Sequence, residues 1–158
     1  FQMFAHGIMT ALLFSSLGFI YDKTHTKLIP DLGGMSKGMP VASGYFIVAA
    51  LAGMGVPGFA SFWAEVTVFI SALKVYPVLG SLAICALVLS ALYMLRVVQR
   101  TFYGQQNERF AHLPDMSFSL GLPRMILVAA MVLFGLFPRL MLDLIQTAVI
   151  PFMSGLPR

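Results

Sequence analysis

The sequence predicts an all-α membrane protein. Three observations carry that prediction. Of 158 residues, 59% are hydrophobic and only 10% are charged, whereas soluble domains carry about 25% charged residues. The apolar residues fall into long runs, several near the roughly 20 residues that a helix needs to cross a bilayer. The charges collect between those runs. Of the six acidic residues, Asp22, Asp31, Glu108, Asp115 and Asp143 lie in or near expected loops, and Glu65 alone lies inside an expected span.

Five spans are expected within one transmembrane domain covering residues 1–158. The first, 1–21, ends in the charged stretch Asp22-Lys23-Thr24-His25-Thr26-Lys27. Pro30, Gly33, Gly34, Gly38 and Pro40 mark residues 29–39 as a loop. The second run, 41–54, is short and stops at Gly55-Val56-Pro57-Gly58. Proline lacks an N–H and glycine tolerates unusual backbone angles, so this tetrapeptide breaks a helix. The third run, 59–74, is also short and holds Glu65. These two read as separate tilted spans joined by a tight turn, in preference to two halves of one interrupted helix. In either case a break at membrane depth requires surrounding protein or a wet cavity, and transporters place such breaks near ion sites.

The fourth run, 78–102, ends with Arg96 and Arg100, which reach the interface one turn apart. Residues 103–123 form the longest polar loop. The fifth span covers 124–145, in an apolar run that reaches Ile150, with Pro138 and Arg139 marking a kink or an exit from the membrane. The chain opens Phe-Gln-Met-Phe, without an initiator methionine or a basic flank, so it reads as a fragment of a longer protein. No internal repeat or low-complexity tract is evident. Both polar loops are basic, so the positive-inside rule does not choose an orientation.

The net charge of +4 comes from scattered loop cations. Such residues meet lipid head groups and give no nucleic-acid patch. The single cysteine, Cys85, implies neither a disulfide nor a thiolate metal site. There is no Gly-rich nucleotide loop, no cysteine cluster and no haem motif, so no cofactor and no metal are expected on this chain.

Glu65 is the residue with chemistry to explain. Lys74, the other charge between Val41 and Leu95, sits beside Tyr76 and Pro77 and can reach the surface. Glu65 is flanked by apolar residues on both sides. A carboxylate inside a bilayer costs about 3 kcal/mol or more, and such groups line protein-enclosed paths for ions or protons. Burial favours the neutral acid and a nearby cation favours the carboxylate, so a moving charge can switch such a group. His6, in the first span, carries an imidazole, a group type that can pass a proton through its two nitrogens; a hydrogen bond to a neighbouring helix is an equally good account of it. Thr10, Ser61 and Thr67 are candidates for a channel lining, although Ser and Thr in membrane helices more often bond the carbonyls of the preceding turn. Trp63 and Tyr76 are candidate interfacial anchors. Ser71-Ala72-Leu73-Lys74 matches a Ser-x-x-Lys hydrolase pattern but lacks its companion motifs.

Several segments together resemble the antiporter-like membrane subunits of respiratory complex I. His6-Gly7-Ile8-Met9-Thr10-Ala11-Leu12-Leu13-Phe14 is similar to an HGxxxALLF segment, and Ile20-Tyr21-Asp22-Lys23-Thr24-His25-Thr26 to an xYDRTHT loop. Leu32-Gly33-Gly34-Met35 with Met39-Pro40 resembles xGGL…MP. Gly55-Val56-Pro57-Gly58-Phe59 with Glu65 resembles GLPG…GFxxE. The likeness runs in order over almost the whole chain. Thr10 and Glu65 stand where other branches tend to carry lysine, which points to the M-type branch. The chain departs from the common pattern at Ser61-Phe62-Trp63, where a smaller, glycine-containing sequence is usual.

The resemblance implies a fold of about fourteen helices built from two inverted five-helix repeats, of which this chain is the last part. It implies His6 on a central hydrophilic axis and Glu65 on a second half-channel near a discontinuous helix. The implied function is that of a proton-translocating subunit of NADH:quinone oxidoreductase, coupling quinone reduction to pumping without redox chemistry of its own. The implied partners are other membrane subunits of that complex, the lipid bilayer and protons, in a bacterial cytoplasmic membrane. The alternatives are a Mrp-type cation/proton antiporter subunit, a membrane-bound hydrogenase subunit, or a structural scaffold subunit.

Overall fold

The computed structural model describes residues 1–154, and the regular elements among them are all helical. Helix α1 (Gln2–Thr24) ends where His25 turns into the left-handed region at φ 54° and donates its N–H to the Tyr21 carbonyl at 2.7 Å. A 3-10 turn (Ile29–Leu32) and the short α2 (Met35–Gly38) follow. Helix α3 (Pro40–Gly53) starts on Pro40, whose missing N–H is no loss at a first helical position. After a break come α4 (Ala60–Val75), α5 (Pro77–Phe102), a 3-10 turn (Glu108–Phe110), α6 (Phe118–Leu136) and α7 (Arg139–Ser154).

Packing fixes the direction of α4. One buried cluster joins Phe19 and Ile20 of α1 to Ala42 and Phe46 of α3, Phe102 of α5, and the loop residues Leu32 and Met116. A second joins Ala5 and Leu12 of α1 to Ala49 and Ala52 of α3, Ala60 and Ala64 of α4, and Met131 of α6. Helix α3 thus leaves the first cluster and reaches the second, where α4 begins. At its far end α4 passes through Tyr76 directly into α5, whose 26 residues place Pro77 about 39 Å from the first cluster. Helix α4 therefore continues in the direction of α3.

The two short runs expected as separate spans are thus corrected to two halves of one interrupted crossing. The reason lies in their lengths. Fourteen and sixteen residues make rods of about 21 and 24 Å, each short of the roughly 30 Å hydrocarbon layer, while together they cover it. Helices α1, α5 and α6 are each long and apolar enough to cross alone.

The expected fifth span is corrected as well. Helix α6 begins at Phe118, inside what reads as a loop, and carries Pro123 within it. A proline there removes one intrahelical bond, which membrane helices tolerate when neighbours supply partners. The helix ends at Leu136, because proline at 138 pushes residue 137 out of the helical region. The remainder is the separate α7.

At the loop end, residues 28–39 and 103–117 hold each other. Gly34 N donates to Tyr103 O at 3.2 Å, Asn107 N to Gly33 O at 3.2 Å, and Asn107 Nδ2 to Asp31 O at 3.0 Å. Asp115 caps α3 from a distance in sequence: its carboxylate accepts from Val41 N at 2.7 Å and Ala42 N at 3.2 Å. The second cluster is rich in alanine, and small side chains let membrane helices approach closely.

Candidate functional site

The break spans residues 54–59, and its backbone is well satisfied. Met54 N donates to Ala50 O at 3.0 Å, Gly55 N to Ala52 O at 3.1 Å and Val56 N to Leu51 O at 3.2 Å. Gly55 and Gly58 have φ of +69° and +104°, a region that side chains rarely adopt. Ser61 Oγ also donates to Ala52 O, tying the start of α4 to the end of α3. Non-helical backbone at membrane depth needs this kind of internal satisfaction.

Helix α6 braces the break from outside. Gly135 meets Gly58 so closely that a Cβ on Gly135 would overlap the Gly58 carbonyl. One helix over, Trp63 Nε1 donates to Gly135 O at 2.8 Å. Phe4 and Phe134 pack edge to face nearby, with ring centroids 5.1 Å apart. Trp63 is thus bonded to a neighbouring helix.

Glu65 lies one turn and a half into α4 and is partly buried. Its carboxylate turns back onto the break, where a Cβ on Gly55 would stand 2.5 Å from Oε2. It faces a cavity of about 410 Å³ walled by α1 (Gln2, His6, Met9), the end of α3 (Gly53), α4 (Glu65, Val68, Phe69) and α5 (Ala83, Ala86, Leu87, Ser90). Glu65 and His6 therefore share one chamber. They reach it from two helices that run in opposite directions, with the break between them.

Thr10, Ser61 and Thr67 are not part of that wall. Thr10 Oγ1 donates to His6 O at 2.8 Å, and Thr67 Oγ1 to Trp63 O at 2.7 Å. In a helix the carbonyl four residues back is the nearest acceptor, and here it accepts the hydroxyl's hydrogen bond each time. Two residues absent from the sequence-based candidates do line the chamber. Ser90 comes from α5. Gln2 lies one turn before His6, and its Oε1 is buried with no hydrogen-bond partner among the described residues. The spacing of Gln2 and His6, four apart in an apolar run, was the available signal. No group of three or more metal-binding side chains occurs among the described residues.

A family model described as NADH:quinone oxidoreductase/Mrp antiporter, TM matches residues 1–90. The chain belongs to this family. Among curated relatives, the F(420)H(2) dehydrogenase subunit M of Methanosarcina mazei is 33% identical over 99% of this chain and 32% of its own length. The NADH-quinone oxidoreductase subunits M of Mycobacterium tuberculosis and Rickettsia felis are 35% and 30% identical, over 93% and 94% of this chain and 27% and 30% of theirs. This member of the NADH:quinone oxidoreductase/Mrp antiporter family thus spans about a third of the length of such relatives. The M-type likeness carried by Thr10 and Glu65 agrees with their names. A solved structure of the Mrp complex from a Dietzia species aligns with TM-score 0.78 over 89% of this chain and 34% of that one, at 21% identity, a likeness of fold. Family and apolar helices together make the chain an integral membrane protein.

Proposed function

We propose that this chain is part of a proton-translocating membrane subunit of an NADH:quinone oxidoreductase, and that Glu65 is the group that gains and releases the proton. In this reading the protein sits in a bacterial cytoplasmic membrane beside other membrane subunits of the complex. It binds no redox cofactor of its own, and quinone reduction elsewhere in the assembly drives it. The observation that carries the proposal is the shared chamber: an intramembrane carboxylate and an imidazole face one cavity beside an interrupted helix. A carboxylate can hold a proton and an imidazole can deliver one, and the broken backbone lets α4 adjust its tilt without losing its hydrogen bonds.

The test uses the full-length protein in its assembly, reconstituted in vesicles, with pumping and quinone reduction measured together. Glu65→Gln is expected to lower proton uptake severalfold while assembly is retained, and His6→Ala to lower it less. Coupled pumping at the parental rate in Glu65→Gln would remove the proposal. The family description also covers Mrp antiporters, and an exchange of protons for sodium that stops in Glu65→Gln without any quinone dependence would favour that reading. Should the carboxyl stay silent in an infrared pH titration, the chain is a scaffold.

A further inference from the structure

At the loop end, away from the Glu65 chamber, two neighbouring cavities lie beside α1 and α5. The outer one, about 630 Å³, is walled by Lys27, Arg100 and the apolar turn Leu28, Ile29 and Pro30. The inner one, about 240 Å³, is an apolar slot between Leu17 and Tyr21 of α1, Phe46 of α3 and Val97 of α5. Lys27 and Ile29 line both, so the two spaces adjoin at these residues.

The chemistry changes along this path in the sense of a lipid. Arg100 lies in the last turn of α5 and Lys27 three residues beyond α1, so both cations stand at head-group level. The slot below them runs along the last two turns of both helices, in the hydrocarbon zone. Lys27 Nζ sits 4.9 Å from the Tyr21 ring centroid, which aims it over the mouth of the slot. Neither Lys27 nor Arg100 forms an ion pair among the described residues. The nearby acid, Asp31, accepts from Thr26 Oγ1 at 3.3 Å and walls neither cavity. Two unpaired cations at the interface attract an anionic head group, and an apolar slot takes a hydrocarbon chain.

We infer that this notch holds one anionic phospholipid, its phosphate between Lys27 and Arg100 and one acyl chain in the slot beside Tyr21 and Val97. The inference rests on membrane embedding alone and does not require Glu65 to carry a proton.

Native mass spectrometry of the full-length protein, taken from nanodiscs of equal phosphatidylglycerol and phosphatidylethanolamine, tests it. The parent is expected to retain one more phosphatidylglycerol than the Lys27→Gln/Arg100→Gln variant. Lys27→Arg/Arg100→Lys keeps the charge and is expected to keep the lipid. Leu17→Trp narrows the slot and is expected to lower retention with both cations in place. Equal retention in the parent and the double glutamine variant overturns the inference, as does equal retention of the two lipids by the parent. A density map of the complete protein with a protein segment filling the slot also overturns it.

Discussion

Gly55 and Glu65 meet across the helix break, with the Glu65 carboxylate oxygen in the space that a Gly55 side chain would need. The turn and the acid are therefore one unit. The turn requires a glycine for its φ of +69°, and any side chain there would also displace the end of the Glu65 carboxylate.

Gly55→Ala tests this unit. A left-handed backbone costs an ordinary residue about 1–2 kcal/mol, and the new methyl must also push Glu65 into the chamber. The expected outcome is a loss of proton pumping near that of Glu65→Gln, with thermal stability in detergent lowered by several degrees. Unchanged pumping would separate the turn from the acid.

The brace between α4 and α6 gives a graded pair. Trp63→Phe removes the hydrogen bond to Gly135 O and is expected to cost about 1 kcal/mol. Gly135→Ala inserts an atom where the Gly58 carbonyl already lies, and overpacking of this kind costs about 1–3 kcal/mol. Thermal unfolding of the purified protein should therefore rank Gly135→Ala below Trp63→Phe, and both below the parent. The opposite order would mean that the glycine contact is loose.

Asp115 predicts a purely structural effect. Its carboxylate caps α3 from the far side of the loop end, and removing a capping side chain costs about 0.5–2 kcal/mol. Asp115→Ala is expected to lower thermal stability, and Asp115→Asn, which keeps an acceptor oxygen, to restore most of it. Pumping per assembled complex should be unchanged in both.

Much of this was legible from residue order. Glu65 stands out because no other charge lies near it in sequence, and Gly55-Val56-Pro57-Gly58 marks the break because its proline and glycines disfavour a continuous helix. That His6 and Glu65 line one cavity was not legible in the neighbourhood of either, since the residues lie fifty-nine positions apart and tertiary packing brings both to it. The direction of α4 was not legible either. A turn that reverses the chain and a kink that continues it use the same glycines and proline, and the choice is made by Ala60 and Ala64 packing against Ala5. The start of α6 was missed because Pro123 reads as a stop, whereas Met116 and Gly121, packed beside Tyr45, hold that first turn in place. For Thr10 and Thr67 the sequence left two readings open, a channel lining or a bond to the preceding turn, and the structure shows each hydroxyl donating to the carbonyl four residues back.

The contact of Gly58 with Gly135 also locks α6 in register. A slip of one turn that carried Met131 to this point would set its side chain against the Gly58 carbonyl, where a single hydrogen atom now sits. Axial sliding of the helix therefore meets backbone, not a yielding side chain, at this point.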